Sequence, residues 1–171
     1  MSESGAAPAN GERRWDELAR EAAQRRDIDS EPVELLRLLS FELEGAPYAL
    51  PVDYVREIVR IRPITPVPRV PGDVRGVISL RGEIVQVLDL RRRLGLERVE
   101  PSRRSRVIVV HGGDGRVTGL VVDAVTEVLS VADDALRPAS GEAGSVEALC
   151  VRGEEFVSLV DLDRVLAVDV E

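Results

Sequence analysis

Two blocks of this chain occur twice in the same order, and no other feature of the sequence constrains its fold as much. Val52-Asp53-Tyr54-Val55-Arg56-Glu57-Ile58 matches Val122-Asp123-Ala124-Val125-Thr126-Glu127-Val128 at an offset of 70. Arg81-Gly82-Glu83 and the run from Ile84 to Leu90 match Arg152-Gly153-Glu154, one inserted Glu155, and the run from Phe156 to Leu162. The chain of 171 residues therefore reads as two copies of one unit, about 38–100 and 107–168. Together they form one domain over 35–171, preceded by an arm over residues 1–34.

Local patterns give each copy a β character. Residues 1–11 have the composition of a mobile arm, and Trp15, Leu18, Ala19 and Ala22 then fall at helical spacing until Pro32 ends the pattern. Phe41-Glu42-Leu43-Glu44 alternates as a strand, Gly45-Ala46-Pro47 turns, and Tyr48-Ala49-Leu50 returns. Val52 to Val59 reads as a short helical turn entering a strand. Four prolines between Pro63 and Pro71 exclude both helix and central strand, so that stretch is an extended connector packed within the domain. Strands follow at Val74–Leu80 and Ile84–Leu88, and Asp89 reads as the N-cap of a helix over Leu90–Leu94 closed by Gly95. The second half repeats these signals, with strands at Val107–His111 and Val117–Val122 around Gly112-Gly113-Asp114-Gly115. That glycine run precedes a strand and lacks a Lys-Ser/Thr ending, so it reads as a tight turn rather than a phosphate loop.

Each copy has about five short strands, too few residues for a large core of its own, so the two copies must share an apolar interface. An apolar fraction of 44% supplies the material. Small barrel-like units follow naturally, because closure removes exposed strand edges.

Charge sharpens the functional reading. The net charge is −8, which disfavours nucleic acid as a partner. Residues 41–106 carry 13 Arg and 9 acids, and residues 107–171 carry 4 Arg and 13 acids. Similar units with opposite fields suit head-to-tail association. One cysteine, Cys150, and one histidine, His111, exclude an internal disulfide and a His/Cys metal cluster. No apolar run reaches membrane-spanning length and no leader pattern opens the chain, so cytoplasmic residence without direct membrane insertion is expected.

The motifs in residues 38–168 resemble those of the CheW family of chemotaxis coupling proteins. They are Phe41-Glu42-Leu43-Glu44-Gly45 with Tyr48, Val55-Arg56-Glu57-Ile58, Thr65-Pro66-Val67-Pro68 with Pro71, and Gly76 to Gly82 with Val85 and Asp89-Leu90-Arg91. Gly119-Leu120-Val121-Val122-Asp123 and Leu159-Val160-Asp161-Leu162 complete the series. The resemblance implies a mainly β fold of two five-stranded SH3-like β-barrel subdomains around a shared core, with short helices. It also implies a non-catalytic adaptor without cofactor or metal, joining the cytoplasmic tip of methyl-accepting chemoreceptors to the regulatory domain of the histidine kinase CheA in a receptor array. By that resemblance Val55, Gly76, Gly119 and Val128 lie at or near the receptor-facing surface, and Glu57 and Arg81 match the family's acidic and arginine positions. Ser79 and Ala148 depart from it, standing where Asn and Gly are common.

Each of these residues also has a plainer reading. Glu57 and Arg81 are either partner contacts or an internal ion pair. Gly76, Gly82 and Gly119 suit positive φ or close backbone approach. Val55 and Val128 suit a core. Asp53 with Glu57, and Asp123 with Glu127, are carboxylates four apart, but no third ligand cluster supports metal or acid–base chemistry. Arg91-Arg92-Arg93 reads as a solvated helix face. A regulatory domain sensing a small molecule in the inter-subdomain groove is the alternative function.

Overall fold

The computed structural model describes residues 17–20, 35–139 and 144–167. It divides into two units, Met1–Glu34 and Leu35–Glu171. In the first, residues 17–20 are helical and Leu18 is exposed. The rest of the helix expected there, with Trp15 and Ala22, lies outside the described residues.

Among the described residues, the second unit holds eleven strands and two short helices. In chain order they are β1 (Leu36–Leu43), β2 (Ala46–Pro51), β3 (Val55–Arg60), β4 (Val74–Leu80), β5 (Glu83–Asp89), α1 (Leu90–Arg93), β6 (Arg106–His111), β7 (Val117–Val122), β8 (Ala124–Val131), β9 (Leu136–Pro138), β10 (Val146–Arg152), β11 (Glu155–Val160) and α2 (Leu162–Leu166). A 3-10 turn at Val52–Tyr54 leads into β3, which is the helical turn entering a strand read from the sequence.

The fold is mainly β, in two sheets. One has the order β8-β1-β2-β11-β10-β9 and the other β3-β6-β7-β5-β4. Matched position by position, these are the same arrangement built twice. In the second sheet the place of β9 is taken by Thr65, which exchanges two backbone hydrogen bonds of 2.9 Å with Val77. That bridge fixes the proline-rich stretch as an extended connector against β4.

The sheets cut across the sequence repeats. Hairpin β1–β2 of the first copy joins strands β8–β11 of the second, and hairpin β6–β7 of the second joins β3–β5 of the first. The hydrogen-bonded sheets, of six and five strands, therefore do not coincide with the segments 38–100 and 107–168. The physical cause is the short link after each hairpin: the 3-10 turn at Val52–Tyr54, and Asp123 alone between β7 and β8, send the chain across to the other sheet. Each exchanged hairpin docks by a parallel pairing, Leu159 beside Ala49 and Val87 beside Gly119. Bulges fall at matching places, passing over Arg56 and Thr126 in the first pair of strands and Arg75 and Glu147 in the second. Register also corrects the repeat alignment. Gly76 pairs with Val87 as Ala148 pairs with Leu159, and Leu80 pairs with Glu83 as Arg152 pairs with Glu155. The offset is a constant 72 there, with no insertion, and the twin of Arg152 is Leu80 rather than Arg81.

Exchange explains the unbroken apolar run at the start of the domain. In β1, residues Leu38 through Phe41 are all buried, because one face meets a local core and the other the shared one. The local core of the first sheet is Leu38, Ala49, Leu129, Val131, Cys150, Val157 and Leu159. That of the second is Ile78, Leu80, Val85, Val87, Val107, Val109 and Val121. Between them lies the shared core, drawn from both sheets and both helices, including Leu39, Phe41, Leu50, Ile108, Leu120, Leu162 and Val165. Each such side chain contributes on the order of 1.5–3 kcal/mol by leaving water.

Candidate functional site

The first sheet turn that matters is β4–β5. Its two residues, Arg81 and Gly82, both have positive φ (53° and 83°), the geometry a tight right-twisted hairpin demands. That turn projects the Arg81 side chain back to Glu57 on β3, 2.8 Å away, with Arg81 77% exposed and Glu57 17%. Glu57 and Arg81 thus form the internal pair, with the guanidinium still open to solvent. The first sheet carries a matching pair, Arg152 to Glu127 at 3.1 Å, both largely exposed. Here the arginine comes from the strand end instead of the turn.

The other residues singled out by resemblance scatter. Val55 is half-buried and packs on the shared core, as its twin Val125 does. Val128 is 48% exposed on β8 of the other sheet, opposite Leu39, and its twin Ile58 is exposed as well. Gly76 and Gly119 are buried. A Cβ on Gly76 would lie 2.1 Å from the Thr65 carbonyl oxygen, at φ +140°, and one on Gly119 would lie 2.7 Å from Val107 Cγ1. Both glycines therefore serve close packing, the first of the connector and the second of neighbouring strands in one sheet.

Sequence reading missed two exposed apolar side chains. Ile84 is 78% exposed and Phe156 59%, at twin positions near the start of β5 and β11. Strand parity carried the signal: Val85 and Val87 face the local core and leave Ile84 and Gln86 on the opposite face, and Val157 and Leu159 likewise leave Phe156 and Ser158 outward. With the ion pairs beside them, these two tips give each sheet one apolar and one charged element on its surface.

The arginine run on α1 is not the solvated face expected. Arg91 forms a bidentate pair with Asp123, Nε to Oδ1 at 2.9 Å and Nη2 to Oδ2 at 2.5 Å, and lies 3.7 Å from Glu44. The Glu44 N–H also donates to Asp123 Oδ2 at 2.9 Å. Burial pushes the Asp123 carboxyl up, but the hydrogen bonds from Arg91 and Glu44 and the Arg91 charge together outweigh it and hold it below the usual range. The same hydrogen bond with Asp123 raises Arg91. Arg93 reaches Asp73 at 2.9 Å and the Val165 carbonyl at 2.8 Å, tying α1 to α2. A short amphipathic helix cannot reveal such partners, because they lie 20 to 72 residues away in the chain.

Asp89 is corrected too. It stands at the N-cap position of α1 without capping it; its carboxylate accepts instead from Arg75 Nε at 3.1 Å, both side chains nearly sealed. Its twin Asp161 does cap, accepting from the Arg164 N–H. The twin of Arg75 is Glu147, whose carboxyl is raised by burial and by the charges of Asp161 and Asp163.

Among the described residues no group of His, Cys, Asp and Glu is arranged to hold a metal ion. No helix there is long and apolar enough to cross a membrane. Cys150 is buried, and burial pushes its thiol up, away from reactivity. A cavity lined by Val74, Leu88, Thr118 and Leu166 among others measures about 110 Å³, well under the roughly 300–1,000 Å³ of ordinary ligand pockets.

A duplicated β unit that carries an exposed ion pair and an exposed apolar side chain on each sheet belongs to the class of interaction domains. The CheW-like domain matches residues 37–170, and the chain belongs to that family. It is 37% identical to the chemotaxis protein CheW of Rhizobium meliloti over 133 residues, covering 75% of this chain and 85% of that one. It is 34% identical to the chemotaxis protein CheW of Klebsiella aerogenes, covering 75% and 80%. The crystal structure of the scaffolding protein TtCheW from Thermoanaerobacter tengcongensis matches with a TM-score of 0.73 at 29% identity, covering 79% of this chain and 94% of that one.

Proposed function

We propose that this chain is a non-catalytic chemotaxis adaptor, which couples the cytoplasmic tips of methyl-accepting chemoreceptors to the regulatory domain of the histidine kinase CheA, and which is cytoplasmic and recruited to their arrays. Family membership supports the adaptor role, and one structural observation carries the coupling. Ile84 and Phe156 expose apolar surface at twin positions on the two sheets, so the molecule offers two similar contacts, one per sheet. Two such contacts let one adaptor join two neighbours, and linked weak interfaces gain strength through effective concentration. Glu57, Arg81 and Val128 lie on the surface where they contribute to recognition, while Val55, Gly76 and Gly119 act by shaping the backbone behind it.

Calorimetric titration against the CheA regulatory domain tests the kinase contact, and co-sedimentation with receptor-bearing membranes tests the receptor contact. Saturable binding in both is the expected result. Failure to bind the regulatory domain at low salt overturns the coupling role.

A further inference from the structure

Arg60, Arg103 and Arg106 line an open cleft of about 410 Å³ with Ile61, Ser102 and Ser105. Among the described residues none of the three guanidiniums has a carboxylate within ion-pairing distance, whereas Arg104, next in the chain to Arg103, reaches Glu42 at 3.3 Å. Arg60 and Arg106 stand directly opposite each other on the β3–β6 ladder. Facing like charges destabilise a strand pair. The twin sheet shows that the fold does not require them, since its matching rung sets Arg37 against Ser130.

The remaining lining is arranged to donate. Arg106 Nη1 is braced by the carbonyls of Arg103 and Ser105, each at 2.8 Å. Ser105 Oγ accepts from the Ser102 N–H at 2.8 Å, and Ser102 Oγ from the Arg104 N–H at 3.2 Å. Both hydroxyls therefore keep their own proton to give away. A cleft walled by three unneutralised guanidiniums and two hydroxyl donors, with Ile61 its only apolar side chain, matches an oxygen-rich anion rather than a ring or an acyl chain.

We propose that this cleft binds a small, multiply charged phosphate anion of the diphosphate kind, gripped by Arg60, Arg103 and Arg106. Its charge relieves the repulsion across the Arg60–Arg106 rung. The site is independent of the adaptor role. The test titrates pyrophosphate into the full chain at low salt, read by calorimetry and by thermal melting. Saturable binding is expected, with a rise in melting temperature that shrinks as sodium chloride is added. Arg60→Gln and Arg106→Gln each weaken binding at least tenfold, while Arg92→Gln, on exposed α1 surface outside the cleft, leaves it unchanged. Without pyrophosphate, Arg60→Gln melts no lower than the parent, so its loss of binding is not a loss of folding. Absence of saturable binding, or binding by both cleft variants as tight as the parent's, overturns the site. So does a short polyglutamate peptide binding where pyrophosphate does not, which assigns the cleft to an acidic protein surface.

Discussion

Arg75 and Asp89 form an ion pair of 3.1 Å with both side chains nearly sealed from solvent, while the twin of Arg75 in the other sheet is Glu147, an acid beside the acid Asp161. The same bulge thus carries opposite charge in the two halves of the duplication. Arg75→Met leaves Asp89 buried with only the half-exposed Arg98, 3.7 Å away, as a partial substitute. Losing one partner of a buried pair typically costs about 3–5 kcal/mol, and Arg98 places this loss at the lower end. Adding Asp89→Asn recovers most of it. Urea unfolding measures both, and a single variant within about 1 kcal/mol of the parent contradicts the pair's role as an anchor.

At Glu147 the sign reverses. Burial and the charges of Asp161 and Asp163 raise its folded pKa, so the folded state resists its ionisation. Stability therefore falls as pH rises from the ordinary glutamate range through the raised value. Glu147→Gln melts higher than the parent at pH 7 and equally at pH 4. Glu147→Arg copies the second sheet's Arg75–Asp89 pairing and gains up to about 1 kcal/mol at neutral pH, the scale of an exposed pair.

Asp123 gives the opposite profile. Its folded pKa is depressed, so its contribution is fully present above the unfolded carboxylate value and is lost as pH falls through the folded one. Acid unfolding of the parent below about pH 4 includes this loss. In Asp123→Asn that part of the slope disappears, so the curves of the two proteins converge in acid and separate above it, with the parent the more stable.

Gly76 reports on the proline-rich connector. A methyl group there meets the Thr65 carbonyl at positive φ, which forces the Thr65–Val77 bridge apart. Gly76→Ala lowers stability by about 1–3 kcal/mol, as overpacking does. Gly82→Ala, at a turn with nothing within 4 Å, costs about 1 kcal/mol through backbone strain alone. Equal losses from the two in chemical denaturation argue against the clash.

These contrasts mark what the chain could disclose in advance. The hairpins and the connector were legible because each rests on residues near one another in sequence, and the repeat because its two blocks share residue identities in the same order. Exchange of the hairpins was not, since the pairing of β1 with β8 and of β6 with β3 depends on where short links send the chain in space. The repeat blocks around Arg81 and Arg152 matched by identity, yet register aligns Arg152 with Leu80. Letter matching slipped by one residue where two turns have different residues at positive φ. Partners of Arg91 and Arg93 were invisible for the same reason: ion pairs across sheets leave no periodic trace.

The apolar tips yield the most direct test of the adaptor role. Ile84 and Phe156 contribute little to the folded core because most of each side chain is in water, so Ile84→Ser and Phe156→Ser melt within a degree or two of the parent, roughly the ±0.5 kcal/mol of surface substitutions. A side chain at the centre of a contact costs on the order of 1–2 kcal/mol of binding when truncated, a five- to thirtyfold loss of affinity. On the proposed reading each tip serves one contact, so each single variant weakens one interaction with the CheA regulatory domain by that factor and spares the other. Mixtures of either variant with that domain then form pairs, while the parent forms larger assemblies in sedimentation velocity. Large assemblies from both variants would remove the tips from the interface and leave the paired charges, Glu57–Arg81 and Glu127–Arg152, as the surfaces to change next.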